Sequence, residues 1–176
     1  MALTPLTALS PLDGRYHHKV AALRDYFSEL GLIRLRVLIE IEWLKALSRE
    51  PTIAEIPPFS PLTLDQLDTL AATFSETDGA AVKAIEDKTN HDVKAIEYFL
   101  KERLAGNKEI ANVAEFIHFA CTSEDSNNLC HALMLKRARD EVMLPALGKI
   151  IEKLAALAHE LADLAMLSRT HGQPAS

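Results

Sequence analysis

Four short stretches hold hydroxyl, amide, imidazole and guanidinium groups beyond what a helical scaffold needs. They are Asp13-Gly14-Arg15-Tyr16, Thr89-Asn90-His91-Asp92, Thr122-Ser123-Glu124-Asp125 followed by Asn127-Asn128, and Thr170-His171-Gly172-Gln173. Arg15 offers a planar fork that matches phosphate or carboxylate, and Tyr16 adds a hydroxyl. Taken alone, a solvated arginine in a turn is the simpler explanation. At Asn90 a helix begins, so free backbone N–H groups and the His91 donor would face an anion placed before it. An ordinary Asn cap beside an exposed His fits equally well. Thr122 and Ser123 open the longest helical pattern and could bind a substrate carboxylate, although Thr122 with Asp125 also matches a capping box, and locally the cap is preferred. His171, past a helix end and flanked by Thr170 and Gln173, is placed either for proton transfer or as a partner of the helix dipole.

Other chemistries are poorly served. His17, His18, His118, His131 and His159 show neither HExxH nor paired-cysteine spacing, so no metal site is expected. No glycine-rich phosphate loop occurs, and no cofactor is expected. Cys121 and Cys130 form no CxxC pair and read as reduced thiols. The net charge of −6, without a Lys/Arg run, argues against nucleic acid and anionic membrane surfaces as partners. No 18-residue window is apolar and uncharged, and the opening MALTPLTALSPLDGRY lacks the marks of a secretion signal, so a cytoplasmic location is expected.

The elements that must position these groups read as helices. The chain of 176 residues is 48% hydrophobic with only six glycines, and no β-alternation runs beyond a few residues. Helices are expected at 17–30, closed by Gly31, then 32–48, 63–74, 78–87, 90–104 and 111–120, with a proline-rich connector over 50–62. From about 125 to 167 the pattern is interrupted only at Pro145 and Gly148, and Pro145 should kink this element. Leu147, Ile151, Leu154, Ala158, Leu161 and Ala165 alternate steps of four and three, the spacing of a bundle seam. A rod of roughly 60 Å cannot bury that seam against the preceding residues, so further helices are required. The reading is therefore all-α, with an N-terminal helical domain over 1–110 and the start of a central helical bundle over 111–176. The turn at SRTHGQPAS marks the chain as an expected fragment of something longer.

Together the four blocks carry a resemblance that none carries singly. DGRY, TNHDVKAIEYFLK (89–101), EFIHFACTSEDSNN (115–128) and LSRTHGQPA (167–175) closely resemble the adenylosuccinate lyases, a family of the fumarase/aspartase superfamily. TS-x-D and TH-G-Q are marks of the whole superfamily, whereas TNHDVKA with TSED-x-NN is narrower. The resemblance spans essentially the whole chain. It implies a β-elimination releasing fumarate: adenylosuccinate to AMP, and the succinyl-carboxamide ribotide (SAICAR) to AICAR, with neither metal nor cofactor. It implies His171 as general acid, Thr122 and Ser123 holding the succinyl carboxylates with Thr170 beside them, and Arg15, Tyr16, Asn90, His91 and Asp92 on the nucleotide side. It implies a homotetramer whose sites are shared between subunits. The family's serine loop, S-S-x-M-P-x-K-x-N-P, which supplies the general base, does not occur in these residues, so this stretch alone is expected to be inactive. Another lyase of the superfamily, or a non-catalytic nucleotide-binding helical bundle, is the alternative.

Overall fold

The computed structural model describes residues 4–175; Met1 to Leu3 of the expected N-terminal arm, and Ser176, lie outside the described residues. The chain divides into two compact units, one up to Ala138 and one from Arg139 onward. The class is all-α, with a single two-stranded hairpin as the only sheet among the described residues.

The first unit is organised by one helix that is apolar on nearly every face. The short helix α1 (Arg24–Phe27) is followed by Ser28, whose side chain accepts from the Gly31 N–H and caps α2 (Glu29–Leu47). Gly31 therefore sits in the first turn of α2 and does not close a 17–30 helix. Its role is close approach: a Cβ there would lie 2.7 Å from the Tyr26 carbonyl oxygen. Residues 17–23 are turns and a 3₁₀ segment, Ala21–Leu23.

Around α2 pack α3 (Pro61–Ala72), α4 (Glu76–Thr89) and α5 (Asp92–Leu104). Ile33, Val37, Ile41 and Leu44, spaced by four and three along α2, meet Leu67, Val82, Ile96, Phe99 and Leu100 in the main core. Burying each such side chain contributes about 1.5–3 kcal/mol. Phe74 and Phe99 meet edge to face, with centroids 5.6 Å apart. The short α6 (Lys108–Asn112) and a 3₁₀ turn, Ala114–Phe116, stand where one helix over 111–120 is expected. On the other side of α2, Leu35 packs with Cys130 and Met134 of α7 (Ser123–Ala138) in a second, smaller cluster.

In the second unit, a π-helical segment (Arg139–Met143) precedes α8 (Leu144–Glu160). The irregularity thus falls before Pro145, which lies in the first turn of α8. Proline lacks an N–H and its ring clashes with the carbonyl four residues back, here Glu141, inside the π segment. Helix does not continue to 167: α8 stops at Glu160, and Ser168–Thr170 pairs antiparallel with Gln173–Ala175 as strands β1 and β2. Leu147, Ile151, Leu154 and Leu161 are each half exposed or more. Among the described residues no helix is long and apolar enough to cross a membrane.

Candidate active site

Two charged residues one turn apart on α2 tie together the site blocks at 89–92 and 122–128. Arg36 is only 5% exposed. Its Nη2 donates to Asp92 Oδ2 at 2.6 Å, and its Nε donates to Asn127 Oδ1 at 3.0 Å. One guanidinium thus joins the TNHD block to the TSEDSNN block. Burial pushes the Asp92 carboxyl up, but the Val93 N–H and the Arg36 charge outweigh it and hold the group below the usual carboxylate range. Glu40, 2% exposed, accepts on Oε1 from Ser126 Oγ and from His118 Nδ1, both at 2.7 Å. Its Oε2 is buried with no partner among the described residues.

Thr122 and Ser123 follow a backbone bend that the chain would not adopt unaided. His118 and Ala120 have φ of 64° and 59°, the left-handed region that costs a non-glycine residue about 1–2 kcal/mol. Glu40 holds His118, and Trp43 Nε1 donates to the Phe119 carbonyl at 2.8 Å. At the helix start Asp125 Oδ2 accepts from the Thr122 N–H at 2.7 Å and from its hydroxyl at 3.0 Å. Those two bonds hold the exposed Asp125 carboxyl low. Of the expected capping box the half in which Asp125 accepts from Thr122 is present, while the Asp125 N–H donates to the Thr122 carbonyl, and Ser123 opens α7 beside it. A cavity of about 490 Å³ borders this start, lined by Trp43, Cys121, Asp125, Ser126 and Leu129 among others. Burial, Glu40 and Asp125 push the Cys121 thiol up, and Cys130 is pushed up to about 11 mainly by burial.

The junction of α4 and α5 departs from the expected cap. Asn90 is the left-handed C-cap of α4 (φ 50°), and His91 is the N-cap of α5. Asparagine tolerates that conformation better than most residues, which is why it ends one helix instead of starting the next. His91 Nδ1 accepts from the Lys94 N–H at 3.1 Å, and Asp92 Oδ1 accepts from the Val93 N–H at 2.9 Å. These two backbone donors are spent internally and do not await an anion. The proton of the neutral His91 ring then sits on Nε2, a donor on an exposed side chain.

Arg15 and Tyr16 lie on the N-terminal arm, where the guanidinium sits 4.8 Å from the Tyr16 ring centroid and both side chains are exposed. Thr170 and His171 belong to the second unit. Thr170 ends β1, and His171 and Gly172 form the hairpin turn with φ of 51° and 76°, the signs a type I′ turn requires. The helix-dipole alternative for His171 therefore fails, because α8 ends eleven residues earlier at Glu160. Among the described residues no group of three or more His, Cys, Asp or Glu side chains could hold a metal ion.

A family model described as Lyase matches residues 14–176. The chain belongs to the lyase family. It is similar to the adenylosuccinate lyases of Haemophilus influenzae (57% identical), Escherichia coli K12 (56%) and Legionella pneumophila Corby (46%), in each case over all 176 residues. It spans 39% of the length of each of these relatives.

Within this lyase segment, Arg36 and Glu40 are the site residues that the motif blocks leave out. In IRLRVLIEIEWL they are two of four charges, with Arg34 and Glu42, on an otherwise apolar helix, and nothing local tells the buried pair from the other two. His118 is legible only as a histidine without metal-ligand spacing.

Proposed function

We propose that this chain is part of an adenylosuccinate lyase, a carbon–nitrogen lyase of purine nucleotide biosynthesis. The observation that supports the reading is 56–57% identity to such enzymes across every residue, with the blocks at 89–92 and 122–128 tied together through Arg36. The substrates would be adenylosuccinate and SAICAR, each releasing fumarate and leaving AMP or AICAR.

In this reaction a base takes a proton from the carbon beside a carboxylate. The resulting carbanion is stabilised as an aci-carboxylate, and the C–N bond breaks as an acid protonates the departing nitrogen. His171 is the acid, and a residue outside these 176 supplies the base. Thr122 and Ser123 hold the succinyl carboxylates, where a lost donor costs roughly 10²- to 10³-fold in rate. Ser123 is the better placed of the two, since the Thr122 hydroxyl already donates to Asp125. Arg15, Tyr16, Asn90, His91 and Asp92 serve the nucleotide, with His91 Nε2–H as the donor towards it. Thr170, next to the acid, is a further substrate contact.

In the complete enzyme, residues 1–110 form an N-terminal helical domain and 111–176 begin a central bundle. The exposed Leu147, Ile151, Leu154 and Leu161 then meet helices of sister subunits in a cytoplasmic homotetramer. The deciding experiment is the absorbance change on adding adenylosuccinate to the purified full-length protein. Cleavage with one fumarate released per AMP is expected. No turnover of adenylosuccinate, with turnover of another fumarate-releasing substrate, would replace this reading by a different lyase of the superfamily.

A further inference from the structure

We propose that Glu40 is a positioning residue for the carboxylate-binding pair Thr122 and Ser123; the inference rests on the function proposed above. Glu40 touches neither residue. It grips the segment on both sides of them, His118 four residues before Thr122 and Ser126 three residues after Ser123, through a single oxygen at 2.7 Å from each partner. The anchor His118 is itself left-handed, as is Ala120 between the anchors, and such a bend relaxes unless something holds it. The Trp43 bond to the Phe119 carbonyl is a third restraint from the same helix, but it fixes only the middle of the bend.

A carboxylate is the group suited to this task. Ionised, it is acceptor-only, so it fixes which ring nitrogen of His118 carries the proton and which way the Ser126 hydroxyl turns. The i,i+4 spacing from Arg36 places the two restraints on one stripe of α2, so that a single rigid helix registers Asp92, Asn127, His118 and Ser126 against each other. A packing role alone would not explain a fully buried carboxyl group whose second oxygen has no partner among the described residues, since an apolar side chain of the same size would fill the space without that penalty.

The test uses the full-length enzyme with Glu40→Ala, Glu40→Gln and Ser126→Ala. Steady-state kinetics with adenylosuccinate is paired with iodoacetamide modification, mapped by mass spectrometry. Cys121 lies inside the bend and reports its opening, whereas the buried Cys130 reports general loosening. Glu40→Ala should lower kcat/KM about tenfold or more, the larger share in KM, and speed Cys121 modification by a similar factor while Cys130 stays protected. Glu40→Gln retains an accepting oxygen and should restore both to within about threefold of wild type. Should Glu40→Ala not yield folded protein, Ser126→Ala must still accelerate Cys121 without exposing Cys130. Unchanged KM and Cys121 reactivity would overturn the proposal, as would acceleration of Cys121 and Cys130 together, or a Gln variant as impaired as Ala. Wild-type protein inert towards adenylosuccinate would instead defeat the proposed function, while the labelling arm still decides whether Glu40 holds the bend.

Discussion

Asp92 and Ser126 are held by side chains of α2 that are almost completely buried, Arg36 and Glu40, whereas no described side chain from Arg139 onward is buried, Thr170 and His171 included. In the first unit the chain itself over-determines where its polar groups sit: two charges, a strained bend and two apolar clusters agree on one arrangement. In the second unit, the order of His171 comes from a two-residue turn and three paired positions. A hairpin of that size is marginal by itself, and α8 offers an apolar face with nothing from its own unit to cover it. The polar groups around α2 are thus set by the first unit's own folding, while the placement of His171 depends on what covers the second unit.

The strongest way to break this comparison is at His171. In the full-length enzyme, His171→Asn keeps a residue that tolerates the positive φ of the turn but removes the proton donor. Turnover should fall about 10²- to 10⁴-fold, with melting temperature and assembly nearly unchanged. The loss should sit in kcat more than in KM, because proton donation is used in the transition state. A folded, assembled Asn variant with normal kcat would remove His171 from the mechanism.

Next in size is the contrast between a buried and an exposed arginine. Arg36→Met preserves the apolar stem but strips Asp92 of its cation and leaves Asn127 Oδ1 unpaired. Urea denaturation of this chain should show a loss of about 2 kcal/mol, less than for a wholly buried pair because Asp92 is half exposed. Arg15→Met, on the exposed arm, should stay within about 0.5 kcal/mol. Equal losses for the two substitutions would mean that the α2 charges do not organise the first unit.

Particular residues show where the sequence was legible. The stripe Ile33, Val37, Ile41 and Leu44 is buried as its spacing requires, and the helical class follows from composition and period. A glycine after a helical run signals an end, and only the neighbouring carbonyls show that Gly31 instead marks close approach. Asn90 has one intrinsic preference, for caps, that serves a C-terminus as well as an N-terminus. Helix was over-extended beyond Glu160 because the leucine spacing continues past it, while the turn residues His171-Gly172 set a hairpin. Arg36 and Glu40 escaped the motif blocks because a long-range pairing over tens of residues leaves no local pattern. The blocks at 90–92 and 122–127 were each visible, but what joins them was not.

The smallest effect sharpens the comparison through pH. Asp92 titrates below its ordinary value, since the Val93 N–H and the Arg36 charge outweigh the upward push of burial. A carboxyl whose folded-state value is depressed contributes stability that is complete above its unfolded value, about 3.9, and is lost as pH falls through the lower folded one. The stability gap between wild type and Asp92→Asn, read from urea midpoints, should therefore be flat from pH 7 to about 5 and shrink below about 4. Solvent screening at the half-exposed carboxylate keeps the closing part of the gap below about 1 kcal/mol. In an Arg36→Met background much of the acid dependence should vanish, because the cation that favours the ionised form is gone, while the Val93 N–H preserves the remainder. A gap that stays constant down to pH 3, or one that widens as acid is added, would show that the Arg36–Asp92 contact is geometry without electrostatic coupling.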